Sequence, residues 1–238
     1  NPSVHAAGIV ISDDKPLVNY APLAESNMTK YLTQWTMDDV ESVGLLKIDF
    51  LGIRYLTMVS SIVEEIKKEN PTFDITKINY QDPKVYELFA KGKTEGIFQF
   101  ESSGMKEKLN LLKPTEFNDI VAMNALYRPG PMAQIEVYVR RKNKEEQVVY
   151  PHPHLEKILK DTYGVIVYQE QIMLIAVNFA HMSLNEADNM RRAVSKKKKE
   201  DLEYYGRIFV EKSVAAGYDL QVAKKLFDLI VTFANYGF

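Results

Sequence analysis

The hydrophobic period of this chain changes once, near Arg54. That change limits the fold to a small strand-bearing piece followed by a mainly helical one. Val4 to Ile11 is apolar, a Ser12-Asp13-Asp14-Lys15-Pro16 turn follows, and short strands are expected around Tyr31 to Thr36 and Leu45 to Phe50. From Arg54 onward, Leu56, Val59, Ile62, Val63 and Ile66 recur at helical spacing and stop before Asn70-Pro71. Asp82-Pro83 then opens a helix with an N-cap and an N1 proline, and Gly92 closes it. The expected class is α+β.

Later helices carry equally local signals. Ser183-Leu184-Asn185-Glu186 reads as a capping box, and the pattern Leu202, Tyr205, Phe209 runs on to a C′ glycine at Gly217. The last helix places Val222, Leu226, Leu229, Ile230 and Phe233 on one face. The expected organisation is one piece over residues 1–54 and a second over 55–238, with the junction at Gly52 to Tyr55.

Within Leu45-Leu46-Lys47-Ile48-Asp49-Phe50-Leu51-Gly52, a carboxylate sits two positions from a lysine inside a run that otherwise reads as a buried strand. Burying a lone carboxylate is costly, so a partner must hold it. Alternation puts Lys47, Asp49 and Leu51 on one face and Leu46, Ile48 and Phe50 on the other. The polar pair can then look into a cleft while the second face packs. This suits a strand-borne metal or phosphate site; a structural ion pair is the competing reading.

The net charge of −2 argues against a uniformly basic surface, so contact with nucleic acid must come from local clusters. Arg191-Arg192-Ala193-Val194-Ser195-Lys196-Lys197-Lys198-Lys199 holds six cations in nine residues. Adjacent arginines project about 100° apart on a helix, and guanidinium forks grip phosphate oxygens two at a time. A solvated helix end, where cations complement the macrodipole, is the alternative. Arg140-Arg141-Lys142-Asn143-Lys144 is followed by Glu145-Glu146 and reads chiefly as a solvated turn.

Tyr127-Arg128-Pro129-Gly130-Pro131 follows the apolar helix Phe117 to Leu126, and its prolines would present Tyr127 and Arg128 in a set direction. Gln169-Glu170-Gln171, after the short strand at Val165 to Val167, caps the next helix or hydrogen-bonds bases. Trp35 is expected in the core. The histidines at 5, 152, 154 and 181 are scattered and receive no metal. The chain has no cysteine, which removes disulfides and thiolate sites and fits a cytoplasmic setting. No apolar run approaches the roughly 18 residues of a membrane span. The start at Asn1-Pro2-Ser3-Val4 and the stop at Tyr236-Gly237-Phe238 give the look of a piece cut from a longer protein.

Together these segments resemble the C-family bacterial replicative DNA polymerases, the alpha subunits of DNA polymerase III. The likeness runs through His5-Ala6-Ala7-Gly8, Lys47-Ile48-Asp49-Phe50-Leu51-Gly52, Gly96-Ile97-Phe98-Gln99-Phe100-Glu101-Ser102, Tyr127-Arg128-Pro129-Gly130-Pro131, Thr162 to Gln171, Arg191-Arg192-Ala193 and Tyr236-Gly237-Phe238. The resemblance implies a nucleotidyltransferase-like palm end at 1–54 and most of the fingers at 55–238. Asp49 then matches the third palm carboxylate and Lys47 a palm lysine near the primer terminus. Arg191 and Arg192 match fingers arginines that contact the triphosphate, with Lys196 and Lys197 as weaker carry-overs. Tyr127 and Arg128 match a motif near the nascent pair. The chain departs from the pattern at Val194-Ser195, where Met-Gly is common, and at Asn235, where glycine is frequent.

The implied partners are primer-template DNA, a dNTP and, through regions absent from this chain, the sliding clamp and clamp loader. Two Mg²⁺ ions about 4 Å apart would serve phosphoryl transfer and need several carboxylates. Asp13-Asp14 and Asp38-Asp39 are adjacent pairs that a strand would point to opposite faces. The isolated chain is therefore expected not to polymerise. A non-catalytic nucleic-acid or nucleotide-binding module and a helical interaction scaffold stand as the other classes.

Overall fold

The computed structural model describes residues 4–5, 7–27, 29–196, 199–234 and 237–238, and only the backbone of residues 196, 199 and 234. Its contacts divide the chain into two compact units, 1–76 and 77–238. The architecture is α+β, with the described strands confined to the first unit.

In the first unit, β1 (Gly8–Ile11) pairs antiparallel with β4 (Leu46–Asp49), and β2 (Leu23–Ala24) pairs with β3 (Leu32–Thr33). The β1–β4 register sets Gly8 opposite Asp49 and Val10 opposite Lys47, all on one face. A short helix, α1 (Met37–Ser42), packs against β4. Its Val40 forms with Ala21 and Leu45 a small core on which Val10 rests. Thr36 caps α1, accepting from the Asp39 amide. The helix α2 (Arg54–Glu69) completes the unit and ends at Asn70.

Two expectations need correction here. The face carrying Leu46 and Phe50 does not pack: they are 58% and 61% exposed, and Ile9, across the ladder from Ile48, is 52% exposed. A two-strand ribbon flanked by one short helix covers one face only. Trp35 is not a core residue either; it is 41% exposed, because β3 ends at Thr33 and the chain bends there. The predicted α2 stripe forms at helical spacing, yet no residue of α2 is buried.

The second unit is helical and has two apolar cores. Around the first lie α3 (Pro83–Ala90), α4 (Ser103–Leu112), α5 (Phe117–Leu126) and α6 (Ile135–Lys142), whose Phe89, Leu109, Met123 and Tyr138 meet there. A one-turn α7 (Glu156–Leu159) leads to α8 (Gln169–Ala180), α9 (Leu184–Lys196), α10 (Lys199–Ala215) and α11 (Leu220–Ala234). Phe179, Met190, Phe209 and Ile230 fill the second core. All five residues of the predicted α11 stripe reach it.

Local signals placed these ends well. Asp82 accepts from the Lys84 amide at 2.9 Å with Pro83 in the first turn. Ser183 and Glu186 close the reciprocal box, with the Ser183 amide donating at 2.7 Å and the Glu186 amide at 3.2 Å. The Arg140–Lys144 cluster is not the solvated turn expected. Arg140 and Arg141 both donate to Glu146, and Arg141 also reaches the Tyr163 carbonyl at 3.1 Å. Lys142, with a side chain only 7% exposed, stands 3.4 Å from buried Asp119. The charges fold inward because acceptors from α5 and two loops close around them.

Candidate functional site

In the first unit, alternation along β4 brings Lys47 and Asp49 together as read from the sequence. Lys47 Nζ donates to Asp49 Oδ1 at 2.7 Å. Lys47 is largely covered and lines a cleft of about 790 Å³, whereas the Asp49 side chain is 45% exposed. The lysine hydrogen bond, seconded by its charge and that of His5, holds the Asp49 carboxyl below the ordinary range, so it stays ionised at neutral pH.

Sequence reasoning gave His5 no role, but the structure places its Nδ1 3.7 Å from Asp49 Oδ1 while accepting from the Ala7 amide at 3.2 Å. Gly8 makes the meeting possible. A Cβ there would come 2.8 Å from His5 Nδ1 and 3.1 Å from both Asp49 Oδ1 and Lys47 Cε, so any side chain would push the three groups apart. The spacing of Gly8 from His5 in the motif was the available signal.

In the second unit, four sequence motifs converge. Arg191 and Arg192 leave α9 beside Asp188, one turn earlier. Asp188 Oδ1 accepts from Arg191 Nε at 3.0 Å and Nη2 at 2.8 Å, and its Oδ2 stands 2.7 Å from Arg192 Nη2. Arg191 Nη1 also donates to Gln169 Oε1 at 2.7 Å. Arg191 is held by both partners with its side chain 23% exposed, while that of Arg192 is 63% exposed. The Arg191 hydrogen bonds come first among the causes that hold the Asp188 carboxyl below its ordinary range. The i+3 and i+4 spacing from Asp188 was the signal that could have found this shared carboxylate.

The Gln169-Glu170-Gln171 run caps its helix, as the sequence suggested, but through its third residue and not through Gln169. The buried side chain of Gln171 accepts from the Val167 and Tyr168 amides at 2.8 and 3.0 Å and donates to Thr162 Oγ1 at 2.8 Å. Gln169 is thereby left for Arg191. The Gln169 amide donates to the Phe238 main-chain oxygen at 3.1 Å, and the Phe238 amide donates to the Val167 carbonyl at 3.0 Å. Arg128 lies with its guanidinium carbon 4.9 Å from the Phe238 ring centroid and donates Nε to the Ala125 carbonyl at 2.8 Å. Tyr127 packs against the first core. Of the lysines beyond Arg192, the Lys196 side chain and all of Lys197 lie outside the described residues, as does Tyr236.

Among the described residues, no group of three or more His, Cys, Asp or Glu is arranged to hold a metal, and no helix is long and apolar enough to cross a membrane. Asp49 offers the oxygen chemistry a hard cation takes, but as one carboxylate it fills only part of such a coordination sphere.

The chain matches the model of the bacterial DNA polymerase III alpha subunit finger domain over residues 55–217, and that of the bacterial DNA polymerase III alpha NTPase domain over residues 1–52. It is 54% identical to the DNA polymerase III subunit alpha of Bacillus subtilis (strain 168), covering 99% of this chain and 21% of that protein. To the protein of the same name from Staphylococcus aureus (strain COL) it is 52% identical, covering 99% of this chain and 22% of the relative. The chain thus spans about a fifth of the length of the curated relatives it matches.

Proposed function

The chain belongs to the bacterial DNA polymerase III alpha subunit family, and on that premise we propose that it supplies the end of the palm and most of the fingers of a DNA-directed DNA polymerase. The observation that carries the reading is the Lys47–Asp49 pair, an ionised carboxylate on a strand edge beside a cleft. Asp49 would hold Mg²⁺, together with carboxylates from elsewhere in the polymerase. When bound, two such ions stabilise the attacking and leaving oxygens of nucleotidyl transfer. Lys47 sets the charge and direction of Asp49 and adds a cation for the primer end. Arg191 and Arg192 grip triphosphate oxygens of the dNTP, Arg192 from its exposed place on α9 and Arg191 through the N–H groups that Asp188 and Gln169 leave uncommitted. Lys196 and Lys197 would extend that positive strip. Tyr127 and Arg128 flank the nascent pair from their rigid turn.

In this reading the partners are primer-template DNA and a dNTP, the setting is the bacterial cytoplasm, and the sliding clamp and clamp loader engage other parts of the polymerase. By itself the chain does not turn nucleotide over, since one carboxylate does not complete a two-ion site.

The test is single-nucleotide incorporation by a full-length polymerase carrying this sequence and by its Asp49→Asn form, beside melting and DNA binding. Incorporation falling by more than about a hundredfold with folding and DNA affinity intact supports the reading, since even outer partners of a bound metal are worth 10–100-fold. Incorporation that survives makes Asp49 a structural partner of Lys47 and removes the assignment.

A further inference from the structure

Arg191 and Arg192 are neighbours in sequence but not equals in structure. Arg192 makes one ion pair with Asp188 and is mostly exposed, whereas Arg191 is fixed at Nε, Nη1 and Nη2 by Asp188 on one side and Gln169 on the other. A guanidinium carries five donors in a rigid plane, so bonds from two directions set both its position and its tilt, and they leave two N–H groups uncommitted by these contacts.

Gln169 is itself held. It is the first residue of α8, its amide is taken by Phe238, and its side-chain amide donates toward the Gly237 carbonyl at 3.4 Å. A Cβ on Gly237 would come 3.0 Å from Gln169 Cγ, so the glycine lets the backbone lie against the glutamine stem. The stem is therefore confined between the 237–238 segment and the arginine.

The geometry points to Gln169 as a positioning residue for nucleotide binding: its side-chain oxygen orients the Arg191 guanidinium toward the incoming triphosphate, and its anchorage on Gly237 and Phe238 keeps that orientation fixed before the nucleotide arrives. This rests on the assignment of Arg191 to the triphosphate made above. Its chemical content is preorganisation. An acceptor already in place fixes the plane of the guanidinium before the ligand arrives, and the N–H groups left over stay available to an anionic ligand. A carboxylate at 169 would hold the fork as well.

The experiment is steady-state incorporation of one dNTP by a full-length polymerase carrying this sequence, comparing wild type with Gln169→Met, Gln169→Glu, Arg191→Lys and the Gln169→Met/Arg191→Lys double variant. Met keeps the shape of the glutamine and removes its oxygen. Gln169→Met is expected to raise KM for the dNTP about tenfold, the scale of a hydrogen bond to a charged group, with kcat, melting temperature and DNA affinity unchanged. Gln169→Glu, which keeps the oxygen, is expected to return KM to within about threefold of wild type, and the double variant to be no worse than Arg191→Lys alone.

An unchanged KM for Gln169→Met beside a raised KM for Arg191→Lys overturns the role of Gln169 and leaves the arginine assignment standing. An unchanged KM for Arg191→Lys removes that assignment, and the inference falls with it. Additive effects in the double variant, or no recovery with Gln169→Glu, make the glutamine a packing residue and also overturn the inference.

Discussion

The two units hold their candidate functional side chains in different ways. In residues 77–238, Arg191 and Gln169 stand on helices whose inner faces fill a core with Phe179, Phe209 and Ile230, so the site rests on deep packing. In residues 1–76, Asp49 and Lys47 stand on a two-strand ribbon over a small core that has, among the described residues, three buried members, Ala21, Val40 and Leu45. Their geometry is instead set locally, by a glycine that removes a clash and by hydrogen bonds among neighbours. Precision can come from packing or from short-range contacts, and the two respond differently to mutation.

The largest effect that would sharpen this contrast is a truncation in the second core. Phe209→Ala is expected to destabilise residues 77–238 by about 3–5 kcal/mol, read by denaturant unfolding, because Phe209 is fully buried. A loss under about 1 kcal/mol would mean that the core relaxes around the gap and that packing does not hold the arginine site. Next comes Asp49→Asn, whose loss of incorporation is expected to exceed about a hundredfold with little change in melting temperature, the reverse of the Phe209 pattern.

A smaller effect tests the local contacts of the helical unit. Hydrogen bonds from Lys212 and from Ser183 hold the Glu186 carboxyl down to about 2, against an ordinary 4.5. A depressed carboxyl contributes stability that is complete above its ordinary value and disappears as pH falls toward 2. The pair is partly exposed, so its worth is about 0.2–1 kcal/mol. Glu186→Gln should therefore lower the melting temperature slightly near neutrality, and the gap from wild type should close between about pH 5 and pH 2. A gap that stays constant would locate the effect in the capping box alone.

Smallest of all, Leu46→Ala on the exposed face of β4 is expected to change stability by under about 0.5 kcal/mol in this chain. A larger loss would show that this face is covered in solution.

The same contrast governs what could be read from the residues. Helix limits in the second unit were legible because Asp82-Pro83, Ser183 with Glu186, and Gly217 act through neighbours a few positions away. Burial of Leu46 and Phe50 was misread because it depends on what covers that face of the sheet, which alternation does not encode, and that of Trp35 because β3 ends at Thr33, before reaching it. In the candidate site, Lys47 beside Asp49 follows from period two, and Asp188 beside the arginines from the helical repeat. The bond from Arg191 to Gln169 joins two helices and left no trace in local pattern. The inward turn of Arg141 and Lys142 was hidden for the same reason, since the Tyr163 carbonyl and the Asp119 carboxylate stand more than twenty residues away from them in sequence.

The paired hydrogen bonds of Phe238 with Val167 and Gln169 close a loop of almost seventy residues, and every helix from α8 to α11 lies inside it. Such a closure gains nothing until those helices have docked, so it belongs among the last events of folding and the first of unfolding. Amide exchange can time it. Protons on Gln169 and Phe238 should exchange together and sooner than those of Ile172 and Ile175 in the buried stretch of α8. A common rate for all four would mean that the loop opens only with the whole unit, and that the 237–238 segment is as durable as the helix it seals.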